Sequence, residues 1–152
     1  MNIEEILLAN DVNLALKAKD KRSAVLDLLG KLRGDSRVKD WDALSDSVLD
    51  RDAAAICEGD SGICIAHGRT SGVSDLVMAA GRAVPGAPVP EIGEPVTLFF
   101  VVGIPAAFDA AYLRLVGAIA RVCREPEGME AMMAAESAEE FVTALAEGAA
   151  RL

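Results

Sequence analysis

Apolar residues recur at three- and four-residue intervals along much of this chain and run together in only a few places. In residues 20–34, Ala24, Val25, Leu28, Leu29 and Leu32 share one side, which predicts an amphipathic helix that Gly34 can end. Residues 40–55 repeat the pattern with Trp41, Leu44, Val48 and Leu49 and predict a second helix. The pattern then changes. Residues 62–66 (GICIA) form a short β-compatible run, and residues 74–84 contain another candidate strand. Residues 83–95 hold four of the six prolines and predict an irregular loop. Residues 96–104 (VTLFFVVGI) are almost wholly apolar, which predicts a central strand covered on both faces.

Helical spacing returns after this strand. Residues 109–125 place Ala111, Leu115, Ala118, Ile119 and Val122 on one stripe. Residues 126–137 start with a proline suited to a first helical turn, and their methionines Met129, Met132 and Met133 read as core filler. The last segment opens with Ser137 and Glu140 at capping-box spacing and carries Phe141, Ala144 and Leu145 on one face. Helices, then strands, then helices predict an α/β fold: a single-domain sandwich with a small mixed β-sheet flanked by helices, spanning residues 1–152.

Composition narrows the function classes. With 24 acidic against 15 basic residues the net charge is −9, which argues against a nucleic-acid partner and is compatible with a basic protein partner. No apolar run is long enough to span a membrane, and the N-terminus lacks the basic start of a signal peptide, so a cytoplasmic location is expected. Cys57, Cys64 and Cys123 have no CxxC spacing and are expected to be three reduced, packed thiols. His67 is the only histidine, and it is not clustered with cysteines at zinc-ligand spacing.

Candidate chemistry therefore gathers at His67. It stands where a strand meets a loop containing Gly68 and Gly72, whose amides can approach an anion, and Arg69 beside it can donate to a phosphate or carboxylate. No P-loop and no serine–histidine–aspartate set offers a rival site. These residues alone leave open a packed or solvated strand-end histidine.

The stretch RDAAAICEGDSGICIAHGR, residues 51–69, resembles the active-site signature of phosphotransferase-system EIIA domains of the fructose/mannitol/nitrogen-regulatory class. Arg51 stands sixteen residues ahead of His67, Gly62-Ile63-Cys64-Ile65 matches the strand, and Gly68 follows the histidine. IGEPVTLFFVVGIP, YLRLVGAIARVCRE and MEAMMAAESAEEFVTAL extend the resemblance over the whole chain. It implies that His67 accepts a phosphoryl group from an HPr-like donor and passes it to an EIIB domain, or uses it as a regulatory signal. It also implies that Arg51 lies beside the phosphate and that no cofactor, metal or nucleotide is needed. A neutral imidazole suits a covalent relay, provided its other ring nitrogen is held by a hydrogen bond. Arg69 is a second candidate cation from its closeness in sequence, and the glycine amides are candidate cradles for phosphoryl oxygens.

The chain departs from the family pattern in four places. Ala66 replaces the proline before the histidine, and Arg51-Asp52 replaces an Arg-Glu pair. Residues 56–61 bring Glu58 and Asp60 toward a phosphate site, where they would repel the phosphoryl group unless they face outward, toward a basic donor. Tyr112 stands where many members have a second histidine; its hydroxyl can donate one hydrogen bond but carries no charge. These departures motivate an alternative: an EIIA-fold binding module that no longer carries phosphate.

Overall fold

The computed structural model describes residues 2–107 and 110–152. The apolar run near residue 100 is central, as its composition requires: β5 (Glu94–Pro105) lies in the middle of a five-stranded sheet. β4 (Val77–Val89) pairs with it antiparallel on one side and β3 (Ile63–Thr70) pairs parallel on the other. β1 (Leu7–Asn13) is the edge strand beyond β4 and is parallel to it, while the three-residue β2 (Ile56–Glu58) is the edge beyond β3 and antiparallel. The expected mixed sheet flanked by helices is the fold observed.

Two apolar layers enclose the sheet. α2 (Lys21–Leu32) and α3 (Trp41–Asp50) pack Val25, Leu28, Leu29, Leu44 and Val48 against Cys64, Ala66, Phe99 and Val101. α4 (Ala111–Arg124), α5 (Pro126–Ala134) and α6 (Ala138–Ala150), with the short α1 (Ile3–Ile6), cover Ile63, Ile65, Phe100 and Val102 on the other face. Pleating sends successive residues of β3 and β5 to opposite layers, so an apolar run without alternation is what a strand covered on both faces needs.

The predicted helices form, with bounded differences. Asp20 caps α2 in a reciprocal box with Ser23. The helix read over 40–55 stops at Asp50, and a 3-10 turn, Asp52–Ala54, follows it. Asp109, at the head of the helix read over 109–125, lies outside the described residues. Pro126 occupies the first turn of α5, and Met132 is buried with Met129 and Met133 packed beside it, as core filler. Ser137 accepts the Glu140 amide at the start of α6, but the Glu140 carboxylate returns to the Glu136 amide rather than to Ser137, so the predicted capping box is only half made.

Three expectations are corrected. Residues 83–95 are not a loop throughout: β4 continues to Val89, and its ladder with β5 is irregular between Arg82 and Ala87, where Pro85 has no N–H to donate. The strands are not confined to the middle of the chain, because residues 7–13 form β1. The three cysteines are not all reduced, since Cys57 and Cys64 face each other across the β2–β3 pair and form a disulfide, leaving only Cys123 as a free, buried thiol.

Candidate functional site

β3 sets the site by its pleat. His67 follows Ile63 and Ile65 on the α4 side of the sheet, while Cys64, Ala66 and Gly68 alternate toward α3. The ladder with β5 is unbroken from Ile63–Leu98 to Thr70–Pro105, so Ala66, in the position read as a proline departure, is an ordinary buried strand residue. This regular backbone delivers His67 opposite Val102, next to the first turn of α4.

The His67 imidazole stacks on Tyr112, with ring centroids 6.1 Å apart and planes 23° from parallel. On the same tyrosine ring lies the Arg69 guanidinium, 5.5 Å from the centroid, which also donates through Nη1 to the Ala106 carbonyl at 3.3 Å. Arg51 ends α3 and is exposed. Burial, and after it the positive charge of Arg51, holds the His67 pKa below its ordinary value, so the ring is neutral at pH 7. All four residues singled out in the sequence thus converge: His67, Tyr112 and Arg69 by ring contact, and Arg51 through its field.

Two details differ from the sequence reading. Nδ1 of His67 is buried and has no hydrogen-bond partner among the described residues, so the ring is held by stacking rather than by the expected hydrogen bond. The glycines act as spacers instead of an anion cradle. A Cβ on Gly68 would lie 2.3 Å from Ser47 Oγ and 2.7 Å from the Val48 nitrogen, and one on Gly72 would lie 2.6 Å from the Asp40 carbonyl oxygen. Both let α3 rest directly on the strand and loop.

The acidic turn faces away from His67. Glu58 pairs with Arg124, which donates through Nε at 3.2 Å and through Nη2. Arg124 ends α4 whereas Tyr112 begins it, so about 18 Å of helix separates this pair from the ring stack. Asp60 is exposed and lines a groove of about 660 Å³ with Glu58, Ser61, Glu94 and Arg124. Among the described residues no group of three or more His, Cys, Asp or Glu is placed to hold a metal ion, and no helix is long and apolar enough to cross a membrane.

Sequence reasoning missed the Glu58–Arg124 pair, which joins residues far apart in the chain. It also missed Leu113, 61% exposed beside Tyr112 in the first turn of α4. The disulfide carried a faint signal: Cys57 and Cys64 flank a turn containing Gly59 and Gly62, at positions that a hairpin brings opposite each other.

The family model described as phosphoenolpyruvate-dependent sugar phosphotransferase system, EIIA 2, matches residues 5–148. The chain is 30% identical over 128 residues to the fructose-specific EIIA component of Haloferax volcanii, covering 84% of this chain and 83% of that protein. It is 22% identical over 143 residues to the fructose-specific EIIABC component of Bacillus subtilis, covering 93% of this chain but only 22% of that longer protein. Among solved structures, nitrogen regulatory protein IIA-Ntr from Neisseria meningitidis superposes with a TM-score of 0.80 at 24% identity, covering 94% of this chain and 98% of that one. The enzyme IIA of the mannitol system from Escherichia coli, solved in complex with phosphorylated enzyme IIB, gives a TM-score of 0.72 at 16% identity, covering 91% and 96%.

Proposed function

Because the chain belongs to the EIIA 2 family of the phosphoenolpyruvate-dependent sugar phosphotransferase system, we propose that His67 is its phosphoryl acceptor and that the protein is a phosphocarrier. The observation that carries this reading is a neutral, half-buried imidazole stacked on Tyr112, with Arg69 on the same ring and the Arg51 charge acting on it. Nδ1 is buried, which leaves Nε2 as the nitrogen for attack. Its lone pair forms the new P–N bond while the bond from phosphorus to the donor histidine of an HPr-like protein breaks, and the pair from that bond returns to the donor ring. Catalysis is mainly positioning and charge stabilisation, which two guanidiniums supply without a metal.

Transfer onward follows the same displacement, with a nucleophile of an EIIB domain attacking the phosphoryl group. The complex of the mannitol enzyme IIA with phosphorylated enzyme IIB supports EIIB as the partner. Both curated relatives are fructose-specific components, which supports a role in fructose uptake. The protein then works in the cytoplasm, where its donor is found. The binding-module alternative loses one of its grounds, because Glu58 is engaged by Arg124 at the far end of α4.

The test is intact-protein mass spectrometry after incubation with enzyme I, HPr and phosphoenolpyruvate. One acid-labile phosphoryl adduct is expected, absent from His67→Ala. No adduct from a donor that charges another EIIA, or an unchanged adduct in His67→Ala, would reject the assignment.

A further inference from the structure

A second pair of reactive side chains joins β3, the strand of His67, to its edge neighbour β2, with Cys64 on the α3 face of the sheet. Cys57 is half-buried in β2, the edge strand, and Cys64 is fully buried in β3, directly opposite it, with Cα atoms 4.1 Å apart. Cys64 precedes His67 by three residues on the same strand, about 10 Å of extended chain. Cys57 is tied to Arg51 by the 3-10 turn Asp52–Ala54, in which the Ala54 amide donates to the Arg51 carbonyl at 2.9 Å. With only three residues, β2 has little ladder of its own; the disulfide is its one covalent tie, beside the Glu58–Arg124 pair, the packing of Ala55 and Cys57 on the apolar layer, and the Lys21 ammonium held by Asp52 in the turn before it. The third cysteine takes no part: Cys123 is buried, and burial, with the nearby Glu58 charge, pushes its thiol up to about 12.

We propose that Cys57 and Cys64 form a thiol–disulfide exchange site for a dithiol protein of the thioredoxin class, and that its redox state sets the rate at which His67 takes up phosphate. The second half of this rests on the phosphocarrier reading; the exchange itself does not. A thiolate of the dithiol attacks the Cys57 sulfur, the more accessible of the two at the sheet edge. The Cys64 sulfur leaves as a thiolate and takes up a proton. The second thiol of the reductant then attacks the mixed disulfide and releases Cys57. The cystine gains two electrons and two protons, and the dithiol becomes a disulfide. In a reducing compartment a disulfide of this kind is transient and redox-sensing rather than permanent. Reduction removes the one covalent tie of β2 and leaves its short ladder, the Glu58–Arg124 pair and the Lys21 contact to Asp52, which loosens the segment that leads back to Arg51 and weakens the cation set around the phosphoryl group.

The experiment compares the oxidised protein with protein treated with reduced thioredoxin and its reductase. Thiols are counted by alkylation after denaturation and located by peptide mass spectrometry, and phosphohistidine formation from HPr is followed in parallel on the native protein. Alkylation of Cys123 alone is expected before thioredoxin treatment and of all three cysteines after it, together with about a fivefold slower phosphoryl uptake, the lower end of ordinary coupling between sites. Cys57→Ser should show the slow rate with or without reductant. Three free thiols before treatment, or a disulfide that thioredoxin leaves intact, would overturn the exchange site. Equal rates in the two redox states would overturn the coupling. Absence of phosphohistidine in both states would overturn the carrier reading and the coupling with it, while the thiol count still decides the exchange.

Discussion

Replacing Gly68 by alanine tests how closely α3 and the strand bearing His67 are joined. The added Cβ meets Ser47 Oγ at 2.3 Å and the Ser47 carbonyl carbon and Val48 nitrogen at 2.7 Å. The hydroxyl can rotate away, at the loss of its 2.8 Å bond to the Leu44 carbonyl. The backbone atoms cannot: restoring ordinary contact requires α3 to withdraw by about 0.7 Å. Leu44 and Val48, 0% and 1% exposed, are drawn out of contact with the sheet by that movement, and a gap of this size forfeits a quarter to a half of each contact. The expected destabilisation is about 1–3 kcal/mol. Urea unfolding should show it as a lower midpoint with an unchanged slope. Ser47→Ala combined with Gly68→Ala should recover only the smaller part, because it removes the hydroxyl and leaves the backbone clash. A loss below about 0.5 kcal/mol, or full recovery in the double variant, would refute this account of Gly68. The withdrawal also carries Arg51 away from His67, so phosphoryl uptake should slow in the folded single variant.

Other consequences are more local. Arg82 donates through Nη1 to the carbonyls of Met132, Met133 and Ala135 at 3.0, 3.0 and 2.7 Å, closing the end of α5, so Arg82→Ala should cost about 2–4 kcal/mol in a denaturant titration. Asp11, 3% exposed beside Asp35, Arg37 and Lys31, has its carboxyl pushed up from 3.8 to about 7, first by burial and then by Asp35. The folded state therefore keeps this proton longer than the unfolded chain does; the stabilisation is complete below pH 3.8 and is lost as pH rises through about 7. Arg37 holds the Asp35 carboxyl below its ordinary value, and that contribution is lost only toward lower pH, as it falls through the folded value. Between pH 4 and 7 stability should thus fall by at most about 1.4 kcal/mol per pH unit from Asp11, and Asp11→Asn should flatten the profile. A profile unchanged by Asp11→Asn would show that Asp11 ionises normally.

By itself the sequence determined the helices from α2 onward, the central strand and the position of His67. Amphipathic spacing in α2, α3, α4 and α6 is a local signal, readable because one helix face is buried whatever covers it. The unbroken apolar run of β5 likewise announces burial on both faces, and Arg51, His67 and Gly68 keep the order and spacing of a phosphotransferase signature. Only tertiary structure decided the edge strands, because β1 and the three-residue β2 owe their form to partners far along the chain. It also decided what several site residues do. Gly68 looked like an anion cradle until α3 was placed on it, and Glu58 looked like a repulsive charge until α4 brought Arg124 to meet it. Cys57 and Cys64 looked like separate thiols until antiparallel pairing set them face to face. Periodicity records which face of an element is buried; it does not record which atoms lie across the gap, and those atoms determine a side chain's charge, partner and reactivity.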